Sequence, residues 1–330
     1  MKRLATLAAA VLIAALSLAG CSTIEDTLRE HTYALLDVCA LDQANVWAVG
    51  TRGMILHWDG DGFEAQESGT AVDLHGVSAV TPRDVWAVGD DGTVIHFDGA
   101  LWKPVLSPTD RDLADVAAVA GASGTDLWAV GGGGTVVRYA AGSWTVESPV
   151  DWELTCVAAA GGRVLAGGER GVLAYTGTWG LELETPEPVS AVAASGDGRA
   201  WAAGHPLGTY PVMVSTIFAY DPSTNLWGPV YRVADTAVRG LAAVGPSDVY
   251  ASCDHGVVVR FDGASWSRES VSVYETYAAV SGTSPARVWV VGMEVGTRWV
   301  SLPVARESAG GWHRVDTPMF VSGVLRREPE

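Results

Sequence analysis

Lysine is nearly missing from this 330-residue chain: Lys2 and Lys103 are the only two. Lys and Arg together number 21 against 38 Asp and Glu, a formal net charge of −17. A surface so short of cations repels phosphate backbones and anionic headgroups. That argues against nucleic acid as a partner and against electrostatic docking on lipid, while a cationic partner is compatible with it. Cysteine is scarce too, four in all and none in a Cys-x-x-Cys pair, so no zinc ribbon or dithiol redox centre is written here. His-Glu-x-x-His, a phosphate-binding loop and Gly-x-Ser-x-Gly are absent, and the glycines at 131–134 lack the Lys and helix a phosphate loop needs. No catalytic residue, metal or cofactor is therefore expected. Beyond the N-terminus no apolar run could cross a bilayer as a helix, no 3.6-residue stripe lasts three turns, and no linker divides the chain.

What is present is a phrase that returns seven times. Its clearest copy runs Leu74–Val80, Val85–Gly89, Thr93–Phe97 and Trp102–Leu106, four short apolar runs broken by Gly, Asp and Pro. The copies align on Trp47, Trp86, Trp128, Leu165, Trp201, Tyr250 and Trp289, spaced by 39, 42, 37, 36, 49 and 39 residues. A period near 40 with four strand-like runs is the signature of a propeller blade, so the expected fold is an all-β propeller of seven four-stranded blades. A β-sandwich would not explain the repeat. The inner runs Leu113–Val119, Leu154–Ala160 and Val238–Val244 alternate little, as suits strands covered on both faces, and the aligned tryptophans are expected between blades. Asp59-Gly60, Asp98-Gly99 and Asp262-Gly263 predict two-residue hairpins between third and fourth strands. Gly53, Gly92, Gly134, Gly171, Gly208 and Gly256 mark the turns between second and third strands. Val321-Ser-Gly-Val324 matches the first-strand phrase and is expected to pair beside the N-terminal copy, latching the ring.

The first 21 residues carry a separate signal. Lys2 and Arg3 precede an apolar stretch from Leu4 to Ala19 that closes on Leu18-Ala-Gly-Cys21. A basic start, a short apolar core and small residues before a cleavage point describe an export leader. The ending resembles the lipobox of bacterial lipoproteins. That resemblance implies a signal peptide over 1–20, lipidation (palmitate) of Cys21 and a tether over 21–34. It also implies a membrane-anchored lipoprotein of the cell envelope, on the outer membrane if the host has two, since Ser22 rather than Asp follows the cysteine. The propeller then spans 35–318 and a closing strand and tail 319–330, in a protein expected to be a monomer.

The remaining features are mild. Cys39, Cys156 and Cys253 read as small buried residues. His57 and His96 share a repeat position with Arg138 and Arg260 and read as exposed or inter-blade residues, not converging metal ligands. Loops joining second to third strands should open on one face together with the connections between blades. That face displays Asp73, Asp90, Asp91, Asp110, Asp112, Glu153, Asp254 and His255, beside Arg52 and Arg111. Its longest loop, 204–216, holds His205 and Tyr210, and one connection carries Tyr274-Glu275. Function is usually placed on such loops. His205, Tyr210, Asp90, Asp91, Asp254, His255, Tyr274 and Glu275 are the candidate residues for binding a protein or peptide.

The repeats also resemble the neuraminidase-type and photosystem-assembly-factor-type propellers over roughly 35–318. Phe97-Asp-Gly-Ala-Leu-Trp102 and Phe261-Asp-Gly-Ala-Ser-Trp266 keep the Asp-Gly and Trp of those families' turn box, while Tyr139-Ala-Ala-Gly-Ser-Trp144 has lost the Asp. The resemblance implies the fold, and it implies two functions. One is partner binding without chemistry; the alternative is a glycan-binding or glycan-hydrolysing (sialidase-like) envelope propeller. The second needs an arginine cluster, which cannot be picked out, and a Tyr/Glu pair, for which only Tyr274 and Glu275 offer.

Overall fold

The computed structural model describes residues 33–121, 124–204, 213–245, 247–272, 275–294, 304–308, 311–321 and 324–326. The expected leader over 1–20, Cys21, His205, Tyr210 and Tyr274 lie outside these residues. Among the described residues the strands form seven four-stranded antiparallel sheets, spanning 35–65, 74–104, 113–147, 154–184, 189–234, 238–270 and 275–314, and one two-stranded hairpin. In the second sheet the strands are Leu74–Thr81, Asp84–Gly89, Val94–Phe97 and Trp102–Pro104, paired in chain order from the inside outward. The other inner strands are Leu35–Ala40, Leu113–Gly121, Leu154–Ala160, Val189–Ala194, Val238–Gly245 and Glu275–Ser284. Each packs against the inner strand of the next sheet, and the last returns to the first. The chain is a β-propeller built of four-stranded antiparallel blades.

Six sheets join their second and third strands by four or five residue pairs, and the described residues of the last give three, Trp289 to Val291 against Arg306 to Val304. Closure of the ring relies on side chains. Ala40 N donates to Ser281 Oγ at 3.0 Å, and Trp289 meets Trp58 and Phe63 with ring centroids 5.1 and 5.6 Å apart. Among the described residues Val321 pairs with Val324 in a hairpin, Met319–Val321 with Val324–Arg326, that joins no other sheet, in place of the expected latch. A match to the first-strand phrase therefore made a strand, but with a local partner. At the other end Ala34 is no tether residue, since it is buried and exchanges hydrogen bonds with Thr51.

Local chemistry explains the repeat. All seven aligned residues, Trp47 through Trp289, are buried. Trp86 lies 5.6 Å from Tyr139 of the next sheet and Trp128 lies 4.6 Å from Tyr175 of the next, the inter-blade packing expected of them. Full burial of a Val or Leu contributes about 1.5–3 kcal/mol, and every seam holds several. His57 and His96 are half-buried and stack on the tryptophan paired with them in their own sheet, Trp47 at 4.5 Å and Trp86 at 4.2 Å. Arg138 lies over Trp128 and Arg260 over Tyr250 in the same way. An aspartate two residues before the aromatic holds the stacked side chain: Asp84 for His96 at 2.8 Å, Asp126 for Arg138 at 2.8 Å and Asp248 for Arg260 at 3.2 Å.

The Asp-Gly turns are longer than expected. Phe97 pairs with Trp102, Trp58 with Phe63 and Phe261 with Trp266, so each loop has four residues. Asp98 Oδ1 accepts the N–H groups of Ala100 and Leu101, both at 3.0 Å, which builds the turn from the aspartate side chain.

Candidate functional site

The turns between second and third strands open on one face, as expected, and four of them share one geometry. In sheets one, two, three and six the turn is a short 3₁₀ segment, Thr51–Gly53, Asp90–Gly92, Gly132–Gly134 and Asp254–Gly256. Its last two residues sit at positive φ, as at Asp91 (55°) and Gly92 (66°). A Cβ at Gly92 would meet the Thr109 carbonyl oxygen at 2.1 Å, so both conformation and space require glycine there. The turn's outward N–H is taken by an acid from the connection to the following sheet. Arg52 N donates to Asp73 Oδ1 at 2.7 Å, Asp91 N to Asp112 Oδ1 at 2.8 Å, and Gly133 N to Glu153 Oε1 at 3.1 Å. Asp73, Asp112 and Glu153, each directly before an inner strand, are thus seam caps. Their spacing of 39 and 41 residues was the sequence signal for this role.

On this face the second, third and fourth sheets enclose an open depression of about 560 Å³. Asp90, Asp110, Asp112 and Glu153 line it, against His75 and Arg111 as the only basic side chains. His75 is the residue bulged out of the second inner strand, and its Nε2 lies 2.6 Å from Asp90 Oδ1. Asp112 and Glu153 spend one oxygen each on neutral backbone donors, which leaves their charge in place. Asp110 makes no hydrogen bond or ion pair among the described residues, and its carboxylate faces the depression free. The chemistry offered is a concave anionic seat that fits an ammonium or guanidinium group.

Of the candidates, Asp90 lines this depression and Asp91 projects from the same turn. Asp254 and His255 occupy the equivalent turn of the sixth sheet and do not join them. Asp254 is buried and grips Arg239 by two bonds of 2.8 Å. Glu275 is buried as well, accepting a bond from the Tyr277 hydroxyl at 2.6 Å and pairing with Arg314 at 3.1 Å. Its carboxylate is engaged inside the fold and not presented on the face. Sequence reasoning missed His75 and Arg239, which reach the face only because each inner strand shifts register at that residue.

Nothing among the described residues forms a nucleophile with its base. Tyr277, the tyrosine bonded to Glu275, is wholly buried, and burial followed by the Glu275 carboxylate pushes its phenol up, away from the activated state a nucleophile needs. Cys39 is half-buried, Cys156 and Cys253 are buried, and all three are free. Burial raises each thiol to about 12, which makes them inert. Among the described residues no group of three or more His, Cys, Asp or Glu could hold a metal ion.

No family model and no curated protein matches this sequence. Solved structures do. The chain is similar to YCF48 bound to D1 peptide, with a TM-score of 0.64 and 20% identity over 84% of this chain and 94% of that one. It is similar to YCF48 from Cyanidioschyzon merolae, with a TM-score of 0.60 and 18% identity over 79% and 94%. U3-55K follows with a TM-score of 0.54 and 14% identity over 66% and 73%. At these identities the likeness establishes the propeller fold.

Proposed function

We propose that this chain is a non-catalytic, seven-bladed propeller that holds a protein or peptide segment on its turn face. The last four-stranded sheet, whose inner strand packs against that of the first, is counted as a blade of the ring. The depression among the second, third and fourth blades seats a Lys or Arg side chain of the partner. The carrying observation is its lining, four carboxylates around one arginine and one histidine. That a similar propeller is found bound to a peptide supports the reading. So does the engagement of Glu275 and Tyr277 with one another, which leaves the sialidase-like alternative without its reacting pair.

The leader gives this propeller its place. Cleavage before Cys21 and lipidation of that cysteine would tether the ring to the envelope membrane, with the outer membrane the expected leaflet where there are two. Losing Lys2 and Arg3 with the leader takes the charge from −17 to about −19, so electrostatics would not add to the anchor. Cys21→Ser should move the protein from the membrane to the soluble fraction; retention in the membrane would refute the anchor.

Binding is tested with a panel of labelled peptides, basic, neutral and acidic, measured by fluorescence anisotropy at low and physiological salt. Basic peptides should bind, more weakly at higher salt, and Asp110→Asn should lower their affinity about 5- to 10-fold, as loss of one charge-assisted contact does. Equal affinity for acidic peptides, or none for any, would refute the proposal.

A further inference from the structure

An inner strand of a propeller is paired on one edge only, so the N–H groups of its other edge need acceptors. Here every inner strand shifts register at the same place, just after Leu35, Leu74, Leu113, Leu154, Val189, Val238 and Tyr277. Beyond the shift the first three strands continue with Asp37, Gly76 and Asp115. Asp37 Oδ2 accepts the N–H of Val77 in the second sheet at 2.7 Å. Asp115 Oδ1 accepts the N–H of its neighbour Val116, and Oδ2 that of Val157 in the fourth sheet, each at 2.7 Å. Gly76 stands between the two aspartates. A Cβ on it would lie 3.1 Å from Asp115 Oδ1 and 2.9 Å from Val116 N. Asp115 therefore occupies the space that a side chain at Gly76 would need, and both carboxylates border the one segment Gly76-Val77.

Among the described residues no cation is paired with them. The inner strands of the first four sheets contain neither Lys nor Arg. Their other titratable groups are the thiols of Cys39 and Cys156 and the His75 ring, which is turned to Asp90. Around them, Asp84 is held by Trp86 and His96, Asp126 by Arg138, and Arg163 by Glu182. The Asp91 N–H is held by Asp112, and Glu275 of the adjoining last sheet is held by Tyr277 and Arg314. Arg287 lies at the start of that sheet's second strand, paired there with Ser284.

We propose that Asp37 and Asp115 together keep a proton at neutral pH and release it in alkali, which makes the joint between the first four blades a proton-linked element of the ring. Both carboxyls sit on half-buried residues. Withdrawal from water lifts Asp37 well above the carboxylate range, with the Asp115 charge adding to the lift, and it lifts Asp115 too, against the opposing pull of its two backbone donors. Both groups hold a proton more tightly folded than unfolded, so stability falls as pH climbs from about 4, where the unfolded carboxyls ionise, through the folded values. The hairpin aspartates Asp59 and Asp262 act in the opposite sense. Backbone donors lower their carboxyls, so their contribution is present above about 4 and lost as pH falls below it.

The test is a carboxyl-carbon NMR titration of the aspartate-labelled protein from pH 4 to pH 9, with Asp37→Asn and Asp115→Asn to assign it. One carboxyl should titrate near neutrality and vanish in Asp115→Asn, and in that variant Asp37 should titrate lower than before. The urea midpoint should drop between pH 5 and pH 8.5 by more in the unsubstituted protein than in either variant. The proposal is overturned if every carboxyl of the unsubstituted protein titrates below pH 5, a result that does not depend on either variant folding. Parallel urea profiles for the unsubstituted protein and both variants would overturn it equally.

Discussion

Asn45→Asp should stabilise this protein by about 1 kcal/mol, by supplying a hydrogen-bond acceptor that the first blade lacks. In the second blade Asp84 Oδ1 accepts the indole N–H of Trp86 at 2.7 Å and lies 2.8 Å from His96 Nε2. The first blade has the same stacked pair, Trp47 on His57, but Asn45 stands two residues before the tryptophan, and its amide donates to Asp42 at 2.9 Å. Trp47 Nε1 and His57 Nε2 are consequently buried with no hydrogen-bond partner. Each such group costs about 1–3 kcal/mol, and a carboxylate open in part to solvent should recover about 1 kcal/mol from each. The exposed bonds to Asp42 are lost, at about 0.5 kcal/mol, and repulsion between two exposed carboxylates takes a few tenths more. The assay is urea unfolding followed by tryptophan fluorescence, in the parent and in an Asp42→Asn background that removes the repulsion. His57 gives a second readout. Its pKa lies below the ordinary histidine value because burial disfavours the charged ring, and the new carboxylate should raise it. The added stability should then be greatest below the parent's folded His57 value, itself under about 6.5, and fade as pH rises through the raised value of the variant. Destabilisation in both backgrounds with no movement of the His57 titration would refute the reasoning.

Trp86→Ala should cost about 3–5 kcal/mol as deletion of a buried aromatic, and an unchanged urea midpoint would dislodge Trp86 from its place in the seam. Gly92→Ala should cost about 2 kcal/mol or more, because φ is 66° and the Thr109 carbonyl occupies the Cβ position; thermal unfolding reads it directly. Asp91→Gly in the same turn should be neutral to stabilising by about 0.5 kcal/mol, as φ is 55° and only the residue's backbone N–H is tied down. Cys39, Cys156 and Cys253 should stay silent to a thiol reagent at pH 8 until urea opens the ring, and fast native-state labelling of Cys156 or Cys253 would contradict their burial.

Much of the architecture was legible because it rests on residue types. A tryptophan or its substitute every 40 residues or so marks a buried seam, and Gly92 and its counterparts mark turns with positive φ. What stayed hidden depends on register. Asp98-Gly99 signals a glycine at φ of 92° but not the loop length, which is set by Phe97 facing Trp102. Val321 and Val324 carry the first-strand phrase, yet they pair with each other, three residues apart, at lower entropic cost than with a strand from the far end of the chain. The shift in each inner strand leaves no compositional trace, and it alone brings His75 beside Asp90 and puts Asp37 and Asp115 across from Val77 and Val157. The candidate face was drawn as a whole, but Glu275 and Asp254 proved to be engaged inside it.

The surplus of acid has a structural explanation that sharpens where recognition must be sought. Asp73, Asp112 and Glu153 cap turns across the seams, and Asp84, Asp126 and Asp248 hold His96, Arg138 and Arg260 against aromatic rings. Asp59, Asp98 and Asp262 build the hairpin loops, and Asp37 and Asp115 close the inner edge. A carboxylate suits each place because it accepts several N–H bonds at once, so the repeat itself multiplies negative charge whatever the protein binds. Net charge is then weak evidence for a partner, and substituting one of these aspartates would confuse lost binding with a loosened ring. Asp110 escapes that confusion, since it lines the depression while supporting nothing around it. If Asp110→Asn weakens a basic ligand with the urea midpoint unchanged, the loss belongs to recognition; if it changes neither, the anionic lining is a by-product of how the blades are joined.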